Sequence, residues 1–511
     1  MRNIGGVVGA IGKVTDQNGA KSTIELLINE CHNHGAITIG GSGSISGWQR
    51  HIGGIAGMLY GSETEAGLTV SGCTNNATIS TTATGGGEHR IAGIAGHIKY
   101  GKIEISGCTN NGEVKSTGTA QNPRPAGIVS VVNAGTSLSI KNCYNKAKLT
   151  NTSTTGTLFA GGIVAYLIGT NISGCQNEGA IEVTNCGGAA KIGGIVGADN
   201  STASTFSTCV NKGQILYSHT QQPYVGGILG YAGVASKISG CTNEMTDTGW
   251  DYSVRCASTH KVMVGGILGF NDGKAVEVTG CTNNGIVIGE NTTSCSDYIC
   301  VGGICGRINS GAAKVSDNTC GTLSHVKLLA NTTNQLANSG GIIGGVNPAG
   351  TVSNNINYGK VTATNAADGK TAYAGGIIGG DNEGTVDATF TMTFTDNKNY
   401  GLVTAKGQDV TLGTVGAGGL IGTMRHVFTS IDANVNYGNV VGGGGNKGGA
   451  GAVCGYMEAT KATCPATVYS GVLVNNVAYS SVKDNSIKLM QWYCPLGNFD
   501  TSWVTITDIK E

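Results

Sequence analysis

VEVTGCTNNGIVI, residues Val276 to Ile288, carries the pattern that decides the fold. Nearly the same text occurs as KIEISGCTNNGEVK at Lys102 to Lys115 and as TVSGCTNNATIS at Thr69 to Ser80. Each copy is a short β-branched run, a Gly-Cys pair, an asparagine two places after the cysteine, and a return to aliphatic residues. That is the pattern of strands separated by turn residues. No helical period runs through any copy.

Outward from this stretch, the cysteine slot recurs as Cys31, Cys73, Cys108, Cys143, Cys175, Cys209, Cys241 and Cys281, then as Asn318, Asn355, Asn397, Asn434 and Asn476. Between successive slots lies a second element, Gly-Gly-Ile-x-Gly or a close variant, in thirteen copies from Gly5 to Gly451 with an average spacing of about 37 residues. Its third position is aliphatic throughout, from Val7 through Ile55 and Ile267 to Val453. A unit of three short strands cannot bury its apolar face alone, so stacking of units must supply the core. In-register stacking at ~4.8 Å predicts an all-β fold, a parallel β-helix (β-solenoid) of about thirteen coils. A β-propeller is the alternative, but thirteen units exceed its usual four to eight blades.

The expected organisation is a solenoid over residues 1–482 and a C-terminal capping segment over 483–511. Asn485 to Lys510 abandons the repeat and concentrates Trp492, Tyr493, Phe499 and Trp503, where an array needs its last edge covered.

Composition narrows the partners. Glycine makes up 87 of 511 residues, roughly 17% against a usual ~7%, so many positions need tight turns or close backbone approach. Basic and acidic residues balance at 31 each, which leaves no basic field for a nucleic acid. No apolar run is long enough to span a bilayer as a helix. The opening MRNIGGVVG lacks the layout of a signal peptide and begins inside the repeat, which points to an excerpt or mature segment with flanking domains or end-to-end self-association at its N-terminus.

The cysteine slots lie along a line in a stacked array. Side chains in one column point the same way, a poor geometry for disulfides, and a line does not converge as zinc ligands must. They are expected to be buried, small apolar fillers. The asparagines two places on (Asn33, Asn75, Asn110, Asn145, Asn177, Asn211, Asn243, Asn283, Asn357, Asn399 and Asn436) suit a turn and bond from coil to coil as a stacked column, which Cys320 and Ala478 break. Cys305 and Cys454 fall in the fourth position of the glycine motif, where packing is expected, and Cys256 and Cys295 are candidates for an inter-coil disulfide.

At these residues the chain resembles the GLUG-motif repeat. GGIVGADN (Gly193 to Asn200), GGILGFND (Gly265 to Asp272), GGIIGGDN (Gly375 to Asn382) and GGLIG (Gly418 to Gly422) look like its first half, and ISGCQNEGAI (Ile172 to Ile181) like its second. The likeness extends from about residue 3 to residue 482, with isoleucine for the family's leucine and with longer repeats. The resemblance implies a bacterial exported or cell-surface protein of adhesin type and carries over no catalytic residue.

Parallel β-helices also support polysaccharide lyases and glycosidases, so a carbohydrate-active enzyme is the runner-up. That chemistry needs two carboxylates at a defined separation. Glu104 and Glu277 share a slot but belong to distant repeats, and Glu182, Glu290, Asp251 and Asp297 read as isolated and solvated. His32 and His34 flank Asn33 in a surface turn. Asp199-Asn200, Asn271-Asp272 and Asp381-Asn382 offer oxygens to calcium, although turn formation accounts for them better; no cofactor is expected.

Binding is expected in inserts on one face. GSGSISGWQRH brings Trp48, Arg50 and His51, and TDTGWDYSVRC brings Trp250, Asp251, Tyr252 and Arg255, in a chain with only 5% aromatics. Such rings beside polar groups suit a glycan or a protein on a host or neighbouring cell. They equally suit a plain role in covering the solenoid wall.

Overall fold

A computed structural model describes residues 2–12, 26–41, 48–61, 67–84, 87–99, 101–119, 121–133, 138–245, 249–291, 293, 298–309, 312–331, 337–347, 350–367, 370–381, 389–407, 414–425, 427–443, 447–451, 454–457, 466–470 and 504–507. The chain divides into two compact units, Met1–Thr246 and Asp247–Glu511, and each is a parallel β-solenoid. No helix is found among the described residues, and none is long and apolar enough to cross a membrane.

The complete turns follow one itinerary. An entry strand runs into the Gly-Gly corner and an exit strand leaves it. A third strand leads to the cysteine slot, a two-residue strand carries the asparagine, and a fifth strand closes the turn. In one copy these are Leu158–Gly161, Val164–Ile168, Asn171–Ser173, Gln176–Asn177 and Ile181–Val183. Corresponding strands pair in register with those of neighbouring turns, as in the column Ile37, Ile79, Val114, Leu149, Ile181 and Ile215. β-branched side chains therefore stack on their own equivalents, and each ladder hydrogen bond is repeated turn by turn.

The first unit stacks seven entry strands from Arg2–Gly5 to Pro223–Gly226, and the second stacks six from Val262–Gly265 to Lys447–Gly451. Complete five-strand turns among the described residues number six in the first unit and four in the second, fewer than the thirteen motif copies. The first unit ends inside the seventh copy, and Val427–Asn436 merges two strands into one. The expected cap over 483–511 lies outside the described residues except for Val504–Thr507, which pairs in parallel with Ala466–Ser470 and so continues the ladder.

The two sequence motifs meet in the core. A Cβ added to the second glycine of the corner would lie 2.3 Å from Asn110 Cγ at Gly93, 2.4 Å from Asn145 Cγ at Gly127 and 2.4 Å from Asn211 Cγ at Gly194. The asparagine fills the space that the glycine vacates. The last glycine of the motif has a second reason: a Cβ at Gly96 would lie 2.4 Å from Ile52 N, because each exit strand presses on the entry strand of the preceding turn.

The asparagines form a continuous hydrogen-bonded column. In the first unit the Nδ2 groups of Asn33, Asn75, Asn110, Asn145, Asn177 and Asn211 each donate to Oδ1 of the next asparagine at 2.7–2.9 Å. In the second, Asn357 donates to Asn399 and Asn399 to Asn436, both at 2.8 Å. Cys320 interrupts this column, and Asn283 turns its amide to Ser324 Oγ at 3.1 Å instead.

The preceding slot explains how cysteine gives way to asparagine. Cys73, Cys108, Cys143, Cys175, Cys209, Cys241 and Cys281 are buried thiols, and Cys31 is half-buried. Cys73 Sγ donates to the carbonyl of Ile28 at 3.6 Å, three residues before the slot of the preceding turn. Asn318, Asn355 and Asn397 donate Nδ2 to the equivalent carbonyls of Val278, Val315 and Val352, each at 2.9 Å. Their Oδ1 atoms accept backbone N–H groups one turn back, as Asn318 does from Cys281 at 2.9 Å. An amide thus satisfies the acceptor that the thiol served and adds a second ladder. Among the described residues, the residue just before each slot has left-handed backbone, with φ of 59° at Gly72, 61° at Gly174, 61° at Asp317 and 55° at Asn354; Gly, Asn and Asp, which tolerate it, hold most of these positions, and Glu30, Thr208 and Ala433 adopt it as well.

Among the remaining cysteines, Cys186, Cys256, Cys300, Cys305, Cys320 and Cys454 are buried, while Cys295 lies outside the described residues. Burial pushes the Cys454 thiol up to about 12, in keeping with a packing role.

Cys281→Asn is therefore expected to fold with a melting temperature close to that of the parent. Ile267→Asn is expected to be severe, since a buried unpaired amide costs about 1–3 kcal/mol beyond the lost packing. Equal losses in a thermal-unfolding comparison would contradict this register.

Candidate functional site

Trp48, Arg50 and His51, expected in a loop, are part of an entry strand, Trp48–Gly53. Trp48 is paired with Gly87, and residues 42–47 of the insert lie outside the described residues. Arg50 and His51 belong instead to a polar network between entry and exit sheets. Arg50 Nη1 donates to His89 Nε2. His51 is fully buried, donates from Nδ1 to Asn3 Oδ1 at 2.8 Å, and packs its ring 4.6 Å from that of His97. Arg90 Nη1 lies 2.9 Å from His97 Nε2, and its Nε and Nη2 bind Glu88 Oε2 at 3.0 and 2.6 Å. Glu88 Oε1 accepts from Arg124 Nη2 at 2.7 Å.

From Arg124 the network becomes a cation–aromatic row. The Arg124 guanidinium lies 4.5 Å from the Tyr166 ring and 5.1 Å from that of Phe159, and Lys191 Nζ lies 3.4 Å from the Tyr231 ring. The register of parallel strands places these residues in neighbouring turns. The inner end of the row is closed, with Arg90 and His97 buried, and exposure rises towards the half-buried Lys191, Tyr224 and Tyr231. With one carboxylate among its arginines, this network lacks the two-carboxylate arrangement of a glycosidase. Sequence reasoning missed the row because Arg90, Arg124 and Lys191 share one strand position that holds Phe159 and Tyr224 in other turns, and no motif marks it.

The second predicted insert is brought together in part. Trp250 and Tyr252 are half-buried and Asp251 is exposed. Arg255, within strand Val254–Ser258, lies 6.0 Å from the Tyr252 ring and donates from Nη2 to Glu290 Oε2 at 2.8 Å. Glu290, read as isolated, is thus paired. Glu104 and Glu182 are paired as well, with Lys141 at 3.3 Å and with Lys148. Asp297 lies outside the described residues, and His32 and His34 are exposed on either side of buried Asn33.

Asp199, weighed as a calcium ligand, is buried and accepts from Ser204 Oγ at 2.8 Å and Ser236 Oγ at 2.6 Å. Asn271 likewise spends its amide on the carbonyl of Lys274 at 2.7 Å, which makes it a turn former. Asp381 accepts from the backbone N–H of Arg425 at 2.6 Å, and Asn382 lies outside the described residues. No three His, Cys, Asp or Glu side chains converge as a metal site among the described residues.

A feature without any counterpart in the sequence reading is an exposed column in the second unit. Tyr358, Tyr400 and Tyr437 each follow a ladder asparagine, in the repeated triplet Asn-Tyr-Gly, and their rings stack at 4.9 and 4.7 Å. That triplet was the available signal. No protein-family model, curated protein or solved structure matches the chain.

The network has a pH signature. Burial, then the Arg90 guanidinium, hold His51 down to about 3 from the usual 6.5, and burial with Arg50 holds His89 at about 4. The unfolded chain takes up these protons below about 6.5 and the folded chain does not, so stability present above that pH is lost as pH falls towards 4. Asp199, raised to about 6 by burial, acts in the opposite sense by holding a proton in the folded state. The two histidines outweigh it. The first unit is expected to unfold more readily at pH 5 than at pH 7. A His51→Gln/His89→Gln pair should flatten that slope in denaturant titrations, and an unchanged slope would contradict the assignment.

Proposed function

We propose that the chain is a non-enzymatic β-solenoid of the GLUG-repeat type, displayed on or secreted from a bacterial cell, that serves as an adhesin or stalk and binds a glycan or a protein through side chains on its outer faces. The observation that supports this reading is the division of labour among side chains. The buried asparagines, cysteines and Asp199 are committed to bonds within and between turns. The outer positions meanwhile recur once per turn along a line. A scaffold of that kind displays chemistry in rows, which suits an extended ligand or a passive spacer better than a reaction centre. The GLUG resemblance of the corner and slot motifs supports the cellular setting.

Within this reading the Tyr252, Arg255 and Glu290 group with neighbouring Trp250 is the first contact point to test, and Trp48 the second. Trp250→Ala is expected to weaken attachment to glycan or host-protein arrays while leaving the thermal transition in place, because a half-buried loop ring contributes little to the ladder. Undiminished binding by a Trp48→Ala/Trp250→Ala variant would move the site elsewhere on the solenoid. Turnover on a glycan panel would replace the reading with a carbohydrate-active enzyme.

A further inference from the structure

Nine large apolar or aromatic residues are notably exposed among the described residues, and five of them, Leu323, Tyr358, Tyr400, Leu402 and Tyr437, lie along one corner of the second unit. The tyrosines are 41%, 41% and 48% exposed. Their planes are within 16° and 12° of parallel. Backbone bonds from Tyr358 to Cys320, Tyr400 to Asn357 and Tyr437 to Asn399, at 2.7–2.8 Å, hold each ring at the height of its turn. Two further rows flank the stack. Ile356, Lys398 and Val435 are in register on one side, and Lys360, Leu402 and Asn439 follow two residues after each tyrosine on the other. Lys360 and Lys398 are exposed and make no ion pair among the described residues.

We infer that this tyrosine stack, with Lys360 and Lys398 beside it, is a binding strip for an extended acidic glycan lying along the stacking direction. The inference rests on the binding reading above and gives it a site and a ligand class. Tyr400 has both faces covered by Tyr358 and Tyr437, so the strip offers mainly ring edges and hydroxyl groups, one set per turn at ~4.8 Å. A linear polymer of sugar rings advances by about one ring per turn of such a scaffold, and its hydroxyls and ring C–H edges match that alternation of phenol oxygen and apolar edge. The lysines supply charge for a carboxylate on the sugar. A folded protein fits less well, because a standard interface buries ~1,600 Å², far more than three rings and two leucines present. An added β-strand fits less well still, since the backbone N–H groups of the tyrosines are already bonded within the ladder. Stacking also orders the strip in advance, which lowers the entropic cost of binding.

The test uses the whole chain, titrated calorimetrically with a short oligogalacturonate and with a neutral cello-oligosaccharide, alongside a glycan and protein array. The acidic oligomer is expected to bind more tightly than the neutral one. A Tyr358→Ala/Tyr400→Ala/Tyr437→Ala variant should bind it at least about tenfold more weakly. Lys360→Gln/Lys398→Gln should weaken binding and reduce its dependence on salt. A triple Tyr→Phe variant keeps the stack and isolates the hydroxyls, so loss there, with an unchanged melt, supports the strip even where the alanine variant unfolds. Unchanged affinity in the alanine variant would remove the strip while leaving the binding reading intact. Preference for the neutral oligomer, or for a protein alone, would overturn the ligand class. A parent chain that binds nothing on the arrays would overturn the binding reading itself.

Discussion

The contact between a glycine without a side chain and an asparagine with no water to bond is the constraint on which each turn depends. At Gly127 and Asn145, and again at Gly194 and Asn211, the corner backbone approaches so closely that any side chain on the glycine would overlap the amide. The amide in turn cannot remain unpaired at full burial without a cost of several kcal/mol on hydrocarbon scales. It resolves this by donating to the next amide and, at Asn145, to the carbonyl of Ala147 at 2.9 Å. Each turn is therefore competent only when another lies beside it. That is why the motifs recur together and why the array, not the single repeat, is the unit of stability.

Cys320 shows how much tolerance this arrangement has. Its thiol takes the asparagine's place against the corner, 2.4 Å from where a Cβ on Gly303 would stand, and donates to the carbonyl of Gly341 at 2.9 Å. The amide of Asn283, which also donates to the carbonyl of Gly285, finds the hydroxyl of Ser324 in place of the next asparagine, in a stretch whose aliphatic position is taken two residues later by Val326. Two departures from the repeat thus compensate each other. The cysteine slot follows the same rule, with thiol and amide serving one carbonyl acceptor in different parts of the chain.

The buried charges of the first unit obey a different logic. Arg90 and Arg124 share Glu88, and the excess positive charge is met by the faces of Tyr166 and Phe159 and by neutral histidines. Buried ion pairs of this kind add little net stability and depend on every partner being present. Their natural consequence is sensitivity to protonation, which aliphatic turns lack.

The amino-acid sequence by itself determined the all-β class, the parallel stacking, the inward columns and the exchange of cysteine for asparagine, because a solenoid repeats every contact once per turn and periodicity in sequence becomes periodicity in space. It did not determine that Trp48 opens a strand, that Arg50 and His51 lie within one, or that Glu290 is paired with Arg255, since these depend on which side chain of a neighbouring turn stands opposite. The tyrosine column was written as Asn-Tyr-Gly in three copies, yet only the tertiary structure decided that the rings face solvent and stack. A residue one place from a buried asparagine lies on the opposite side of the strand, and whether that side is covered is set by the geometry of the corner and not by the identity of the residue.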